Sequence, residues 1–130
     1  MVGIVVVSHS KKIAEGVAEL CSQMAHDEQK IEAAGGTEDG RIGTDAIKIM
    51  EAIKKADNGE GVAIFVDMGS AIMSTELALD LLDEDIKKRV VIADAPIVEG
   101  SIAAVVQAST GSSLEEVIMV AKQSKNIVKI

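Results

Sequence analysis

A run of β-branched residues from Ile4 to Val7, opened by Gly3, stops at Ser8-His9-Ser10, and a helical pattern begins directly after it. His9 is one of only two histidines in the chain. An imidazole at a strand end that faces a helix start can act as nucleophile, general base or metal ligand. No second histidine, cysteine or carboxylate follows at metal-ligand spacing, so the metal reading starts without support. A second strand-like run, AIFVD, ends at Asp67 and is followed by Met68-Gly69-Ser70-Ala71. In an open α/β sheet, ligands sit where the strand order reverses, beyond the carboxyl ends of the strands. If the strands run 2-1-3-4, the first and third flank that crevice, and His9 and Asp67 reach it from two separate segments.

The roles follow from the residue types. Asp67 can accept a hydrogen bond from one ring nitrogen, fixing the tautomer and leaving the other lone pair free to attack. Gly69 permits a tight turn, and a helix opening at Ser70 directs free N–H groups and its positive dipole end at the crevice. That arrangement suits a phosphoryl group. Ser10, Gly69 and Ser70 are therefore the expected phosphate-binding residues, and the Ser8 hydroxyl lies close enough to assist. Plainer readings exist: Asp67 as a cap on the following helix, and His9 as a satisfied polar group at a strand end. Each is the commoner fate of such a residue taken singly. Together they weaken, because the two meet at one switch point.

The stretch Gly35 to Asp45, GGTEDGRIGTD, holds four glycines and can arch over the crevice, with Gly35, Gly36 and Thr37 as the residues closest to a ligand. A surface connection is the alternative. Without a GK[ST] ending it is not a Walker-type loop. His26 reads as solvated or as a partner of helix carbonyls, and Asp83-Glu84-Asp85 as a solvated turn. No metal or cofactor is implied.

Positioning these groups requires alternating strands and helices. Val2 to Val7 reads as a buried strand, and Lys11 to Ala25 as a helix with Ile13, Val17, Leu20, Cys21 and Met24 inward. A short strand follows near Lys30 to Ala34. Thr44 then caps a helix with Ala46, Ile47, Met50 and Ile53 on one face. Gly61 to Asp67 is the third strand, Ser70 to Leu82 a helix, and Arg89 to Asp94 the fourth strand. Helices over Glu99 to Ala108 and Ser113 to Lys122 close the pattern, the latter with Leu114, Val117, Ile118 and Ala121 inward. The tail NIVKI is a candidate for an extra edge strand. The expectation is one α/β domain over residues 1–130, with an open, mainly parallel four-strand sheet in order 2-1-3-4 and helices on both faces. The helix from Ser70 is apolar on more than one side, which points to a homodimer contact. A charge at Leu79 or Leu82 should then break that contact.

Composition narrows the function classes. Apolar residues make up 48% of the chain, yet it contains one Phe and no Tyr or Trp, which excludes aromatic cages and base-stacking platforms. A net charge of −8 repels phosphate backbones and anionic lipid, so neither nucleic acid nor membrane is an expected partner. Cys21 is the only cysteine and cannot form an internal disulfide. With no signal-peptide pattern at the start, this indicates the cytoplasm.

Four segments in order, IVVVSHS, GGTEDGRIGTD with AIKIMEAI, VDMGSAIMSTELAL and ADAPIVEGS, resemble the DhaM family, the phosphotransferase-system subunits of dihydroxyacetone kinase. More distantly, the chain resembles the mannose-type IIA domains. The resemblance covers nearly the whole chain. It implies a phosphohistidine at His9 with Asp67 as its carboxylate partner, in a homodimeric α/β subunit. Phosphate would arrive from the phosphocarrier HPr and pass to ADP bound on DhaL, while DhaK holds dihydroxyacetone. Some relatives carry HPr-like and enzyme-I-like domains behind this one. As the sequence closes at Ile130, those functions are expected from separate proteins. A sugar-transport IIA domain and a regulatory phosphate-binding module without turnover remain open. A receiver-like switch phosphorylated on Asp67 would want acidic residues where Ser8-His9-Ser10 stands.

Overall fold

All six residues of β1 (Gly3–Ser8) are buried, and their side chains divide between two cores in the computed structural model, which describes residues 1–130. Ile4 and Val6 join Ala63 and Phe65 on one face, whereas Val5 and Val7 join Val62 and Ile64 on the other. A strand apolar on both faces belongs in the middle of a covered parallel sheet. The sheet is four-stranded and wholly parallel, in the order β2 (Ile31–Gly35), β1, β3 (Val62–Val66), β4 (Val90–Ile92). This is the expected class and strand order. The register sets Val7 beside Val66, so the next residues along, Ser8 and Asp67, leave the sheet side by side.

Helices α1 (Lys11–Ser22), α5 (Ile97–Ala108) and α6 (Leu114–Gln123) cover the first face, and α2 (Ala46–Ala56) and α3 (Gly69–Asp80) the second. One turn of helix, α4 (Glu84–Lys87), leads into β4. The inward residues are smaller than the apolar pattern indicates. In α1 they are Ala14, Val17 and Cys21, while Ile13, Leu20 and, past the helix end, Met24 are about half exposed. In α2 they are Ile49, Ala52, Ile53 and Ala56, with Ile47 exposed. Short side chains let each helix lie close to the sheet. A Cβ at Gly35 would stand 2.7 Å from the Ala14 Cβ, and one at Gly3 2.2 Å from the Ala56 carbonyl oxygen.

Several boundaries differ from the expectation. Asp45, not Thr44, caps α2: its carboxylate accepts from the Ile47 and Lys48 N–H groups at 2.9 and 3.3 Å. The Thr44 hydroxyl instead pairs with Ser74 of α3. The tail forms no strand; Ile127, Val128 and Ile130 are exposed. β4 spans only three residues and offers little ladder to extend, and Lys129 pairs with Glu99 instead. Leu82 is buried and Leu79 packs against the second core, so neither belongs to an outer face of α3. Cys21 is fully buried, and burial pushes its thiol above the ordinary range against a weaker opposing hydrogen bond with Ser101. No three metal-ligating side chains converge anywhere, and no helix is long and apolar enough to cross a membrane.

Candidate active site

Side-by-side exit of β1 and β3 brings the two expected chemical residues into contact. His9 Nδ1 lies 2.9 Å from Asp67 Oδ1, with both side chains largely buried. Since an ionised carboxylate can only accept, Nδ1 carries the ring proton and Nε2 the lone pair. Nε2 in turn lies 2.5 Å from the Ser70 hydroxyl. Both ring nitrogens are therefore held, one from each side.

Asp67 receives four donors, two on each oxygen. Oδ1 accepts from the His9 ring and from the Met68 N–H at 2.8 Å. Oδ2 accepts from the Ser8 hydroxyl at 2.8 Å and the His9 backbone N–H at 3.0 Å. Burial pushes the Asp67 carboxyl up, but the hydrogen bonds from the His9 N–H, the Ser8 hydroxyl and the His9 ring outweigh it and leave the group below the ordinary carboxylate range. Asp67 does not cap α3. The capping position is Met68, no side chain caps this helix, and its first N–H groups beside Gly69 and Ser70 lack a side-chain partner. An uncapped helix start next to an imidazole is suited to anion binding.

Other site residues fall less simply. Ser10 caps α1, its hydroxyl accepting from the Ile13 N–H at 3.3 Å, which leaves the hydroxyl proton free to donate. Ser8 is fully buried, so its hydroxyl is directed at Asp67 and not at a ligand. This role was missed at the sequence level, although a polar residue ending a wholly buried strand signals an internal partner. The glycine-rich segment is stapled beside the site: Gly36 N–H donates to the Ser8 carbonyl at 3.2 Å and Gly43 N–H to the His9 carbonyl at 2.8 Å. The close approach that Gly35 permits is to the start of α1, not to a ligand; its Cβ would lie 2.6 Å from the Ser10 carbonyl oxygen. Thr37 is engaged within the loop by Asp39 and Arg41. A polar groove of 780 Å³ runs along this loop past Thr37, Asp39 and Arg41, but neither His9 nor Asp67 lines it. Asp67 lines a separate groove of 460 Å³ with Met68, Gly69 and Ile72. His26 lies far along the chain at the other end of α1, where it is exposed and its Nδ1 accepts from the Glu28 N–H.

The sequence pattern of the family described as the PTS system fructose IIA component matches residues 3–118. Among characterised relatives, the chain is 46% identical over 118 residues to "PEP-dependent dihydroxyacetone kinase 2, phosphoryl donor subunit DhaM" of Listeria innocua, covering 91% of this chain and 94% of that protein. It is 42% identical over 127 residues to the DhaM subunit of Providencia stuartii, covering 95% of this chain but 27% of that one. The Escherichia coli DhaM subunit is 46% identical over 121 residues, covering 91% of this chain and 26% of its own length. The chain thus spans about a quarter of the Providencia and Escherichia relatives and nearly all of the Listeria one. A crystal structure of a protein of unknown function superposes with a TM-score of 0.84 at 39% identity over 95% of each chain. The phosphotransferase-system component EIIA from Streptococcus agalactiae shares the fold, with a TM-score of 0.69 at 15% identity over 99% of this chain and 97% of that one. By sequence match and by fold, the chain belongs to the PTS fructose IIA component family and, within it, to the DhaM subunits.

Proposed function

We propose that this chain is the phosphoryl-carrying module of a phosphoenolpyruvate-dependent dihydroxyacetone kinase, with His9 as the carrier. The observation that supports it most is the oriented imidazole: Nδ1 held by Asp67 and Nε2 directed at an uncapped helix start. In the forward step, the Nε2 lone pair attacks phosphorus on phospho-HPr. A new P–N bond forms as the donor's P–N bond breaks, and the donor imidazole leaves with its electron pair. Throughout, Nδ1–H stays on Asp67, which stabilises the positive charge developing on the ring. N–H groups at Gly69 and Ser70, with the Ser70 and Ser10 hydroxyls, receive the phosphoryl oxygens. In the second step, a β-phosphate oxygen of ADP on DhaL attacks, and the P–N bond of His9 breaks. ATP formed there then phosphorylates dihydroxyacetone on DhaK.

One imidazole must face donor and acceptor in turn, so HPr and DhaL compete for the surface around His9. The net charge of −8 favours partners with basic docking faces. The chain works as a homodimer in the cytoplasm, with α3 contributing to the contact.

The test is incubation with phosphoenolpyruvate, enzyme I and HPr, followed by mapping of acid-labile phosphate and a chase with ADP-loaded DhaL. The expected result is phosphate on His9 that moves to ADP. His9→Gln abolishes labelling, Asp67→Ala slows it by roughly 10²-fold, and His26→Gln leaves it unchanged. Phosphate on Ser10, Asp67 or His26 overturns the mechanism. The fructose description of the matched family favours a second reading, a sugar-transport client. Discharge of the phosphorylated chain by a sugar-specific IIB component, with none to DhaL–ADP, would decide for it.

A further inference from the structure

Of the polar side chains near His9, Ser8 is the one that is fully buried, so its hydroxyl cannot itself meet a ligand. The Ser8 hydroxyl accepts from the Ser10 N–H at 3.0 Å and lies 2.8 Å from Asp67 Oδ2. Its proton has one destination, because the Ser10 N–H occupies the accepting side and an ionised carboxylate can only accept. We propose that Ser8 is a positioning residue for phosphoryl transfer: its buried hydroxyl locks the Asp67 carboxylate in the rotation that presents Oδ1 to His9 Nδ1. The inference rests on the reading of His9 as the phosphoryl carrier.

The geometry carries this beyond ordinary hydrogen-bond satisfaction. The terminal torsion of an Asp side chain is broad and holds no orientation by itself. Here three of the four donors come from the end of β1 and one from the residue after Asp67. Oδ2 is tied to the end of β1 through Ser8 and the His9 N–H, and Oδ1 is left for the ring and for Met68. Through its hydroxyl Ser8 also links Ser10, the N-cap of α1, to the same carboxylate, so the His9 peptide is bracketed on both sides. Loss of the hydroxyl leaves Oδ2 with one donor and the Ser10 N–H with none. The carboxylate is then held by three donors instead of four, and the constraint that keeps the ring proton on Nδ1 is weakened.

Ser8→Ala tests the idea, with Ser8→Cys as a second variant of nearly equal size and weaker donor strength. Phosphoramidate, a small phosphoryl donor that needs no protein docking, reports the chemical step on the full chain. Nitrogen NMR of the His9 ring reports the tautomer. In the wild type the ring is expected as a single Nδ1–H form. In both variants a mixture of tautomers appears, with kcat for phosphoramidate lowered roughly 10-fold and KM unchanged. An unchanged tautomer ratio in the folded variants overturns the proposal, whatever happens to the rate. If Ser8→Ala fails to fold, Ser8→Cys supplies the same two readings. If phosphoramidate leaves wild-type His9 unmodified, the carrier reading fails, while the ring spectrum still decides whether Ser8 sets the tautomer.

Discussion

The Ser70 hydroxyl stands 2.5 Å from His9 Nε2, on the ring nitrogen opposite the one Asp67 holds. In the proposed mechanism, the nitrogen that attacks phosphorus is thus covered by a hydrogen-bond donor in the resting protein. The hydroxyl must swing aside for the reaction, and a phosphoryl oxygen on Nε2 then offers it a stronger acceptor. A neutral hydrogen bond contributes about 1 kcal/mol and one to a charged group about 1.5–3 kcal/mol, so the exchange favours the phosphorylated state. Ser70→Ala is expected to slow phosphorylation by HPr by up to roughly 10-fold in single-turnover measurements. A faster variant would mean that Ser70 only blocks the lone pair.

Gly35 and Gly16 should respond in opposite directions to alanine. A Cβ on Gly35 meets the Ser10 carbonyl oxygen at 2.6 Å and the Lys11 Cα at 2.8 Å, both backbone atoms next to His9. Gly35→Ala is expected to cost about 1–3 kcal/mol in denaturant unfolding and to lower His9 phosphorylation. Gly16 sits within α1 with nothing near its Cβ position, so Gly16→Ala should gain about 0.5–1 kcal/mol at full activity. Equal effects at the two sites would refute the close-approach account.

Along α3 and its C-terminal cap, Met73, Leu77 and Leu81 form a stripe one turn apart, exposed by 72%, 57% and 49%. Three large apolar residues in line on a helix are characteristic of a covered face. Leu77→Lys with Leu81→Lys is expected to give a folded monomer where the wild type sediments as a dimer at micromolar concentration. Leu82→Lys should instead destabilise the fold, since Leu82 is buried. A wild-type monomer would remove the basis for the dimer.

Away from the candidate site, Asp57 should contribute to acid sensitivity. Arg89 holds its carboxyl below the ordinary range through two hydrogen bonds, at 2.9 and 2.7 Å, while partial burial opposes the shift. A depressed folded pKa stabilises the fold above the unfolded value of about 3.9, and that stability is lost as pH falls through the folded value. Asp57→Asn should therefore lower the unfolding midpoint at pH 7, with the gap to wild type closing as pH falls below about 4. A gap of constant size across that range would mean the pair contributes no linked stability.

Much of the architecture was legible because strand residues alternate faces and β1 is apolar on both faces from Ile4 to Val7. A strand of that kind can only be central, and polar residues at its end must leave the sheet. The same pattern misplaced the inward faces of α1 and α2, because hydrophobicity ranks Ile13, Leu20 and Ile47 above Ala14 and Ala52. Packing distance decided otherwise: helices lying this close to the sheet admit alanine and glycine at the contact and turn longer side chains outward.

For the site, residue type singled out His9 and Asp67 only together with their places at two strand ends, since taken singly each has a plainer reading as a cap or a satisfied polar group. Only tertiary structure decided what each hydroxyl does. Ser8, Ser10 and Ser70 carry the same functional group around one histidine, yet Ser8 is buried against Asp67, Ser10 caps a helix and Ser70 covers Nε2. A hydroxyl donates and accepts in whatever direction its neighbours leave open, and those neighbours come from strands and helices distant in sequence.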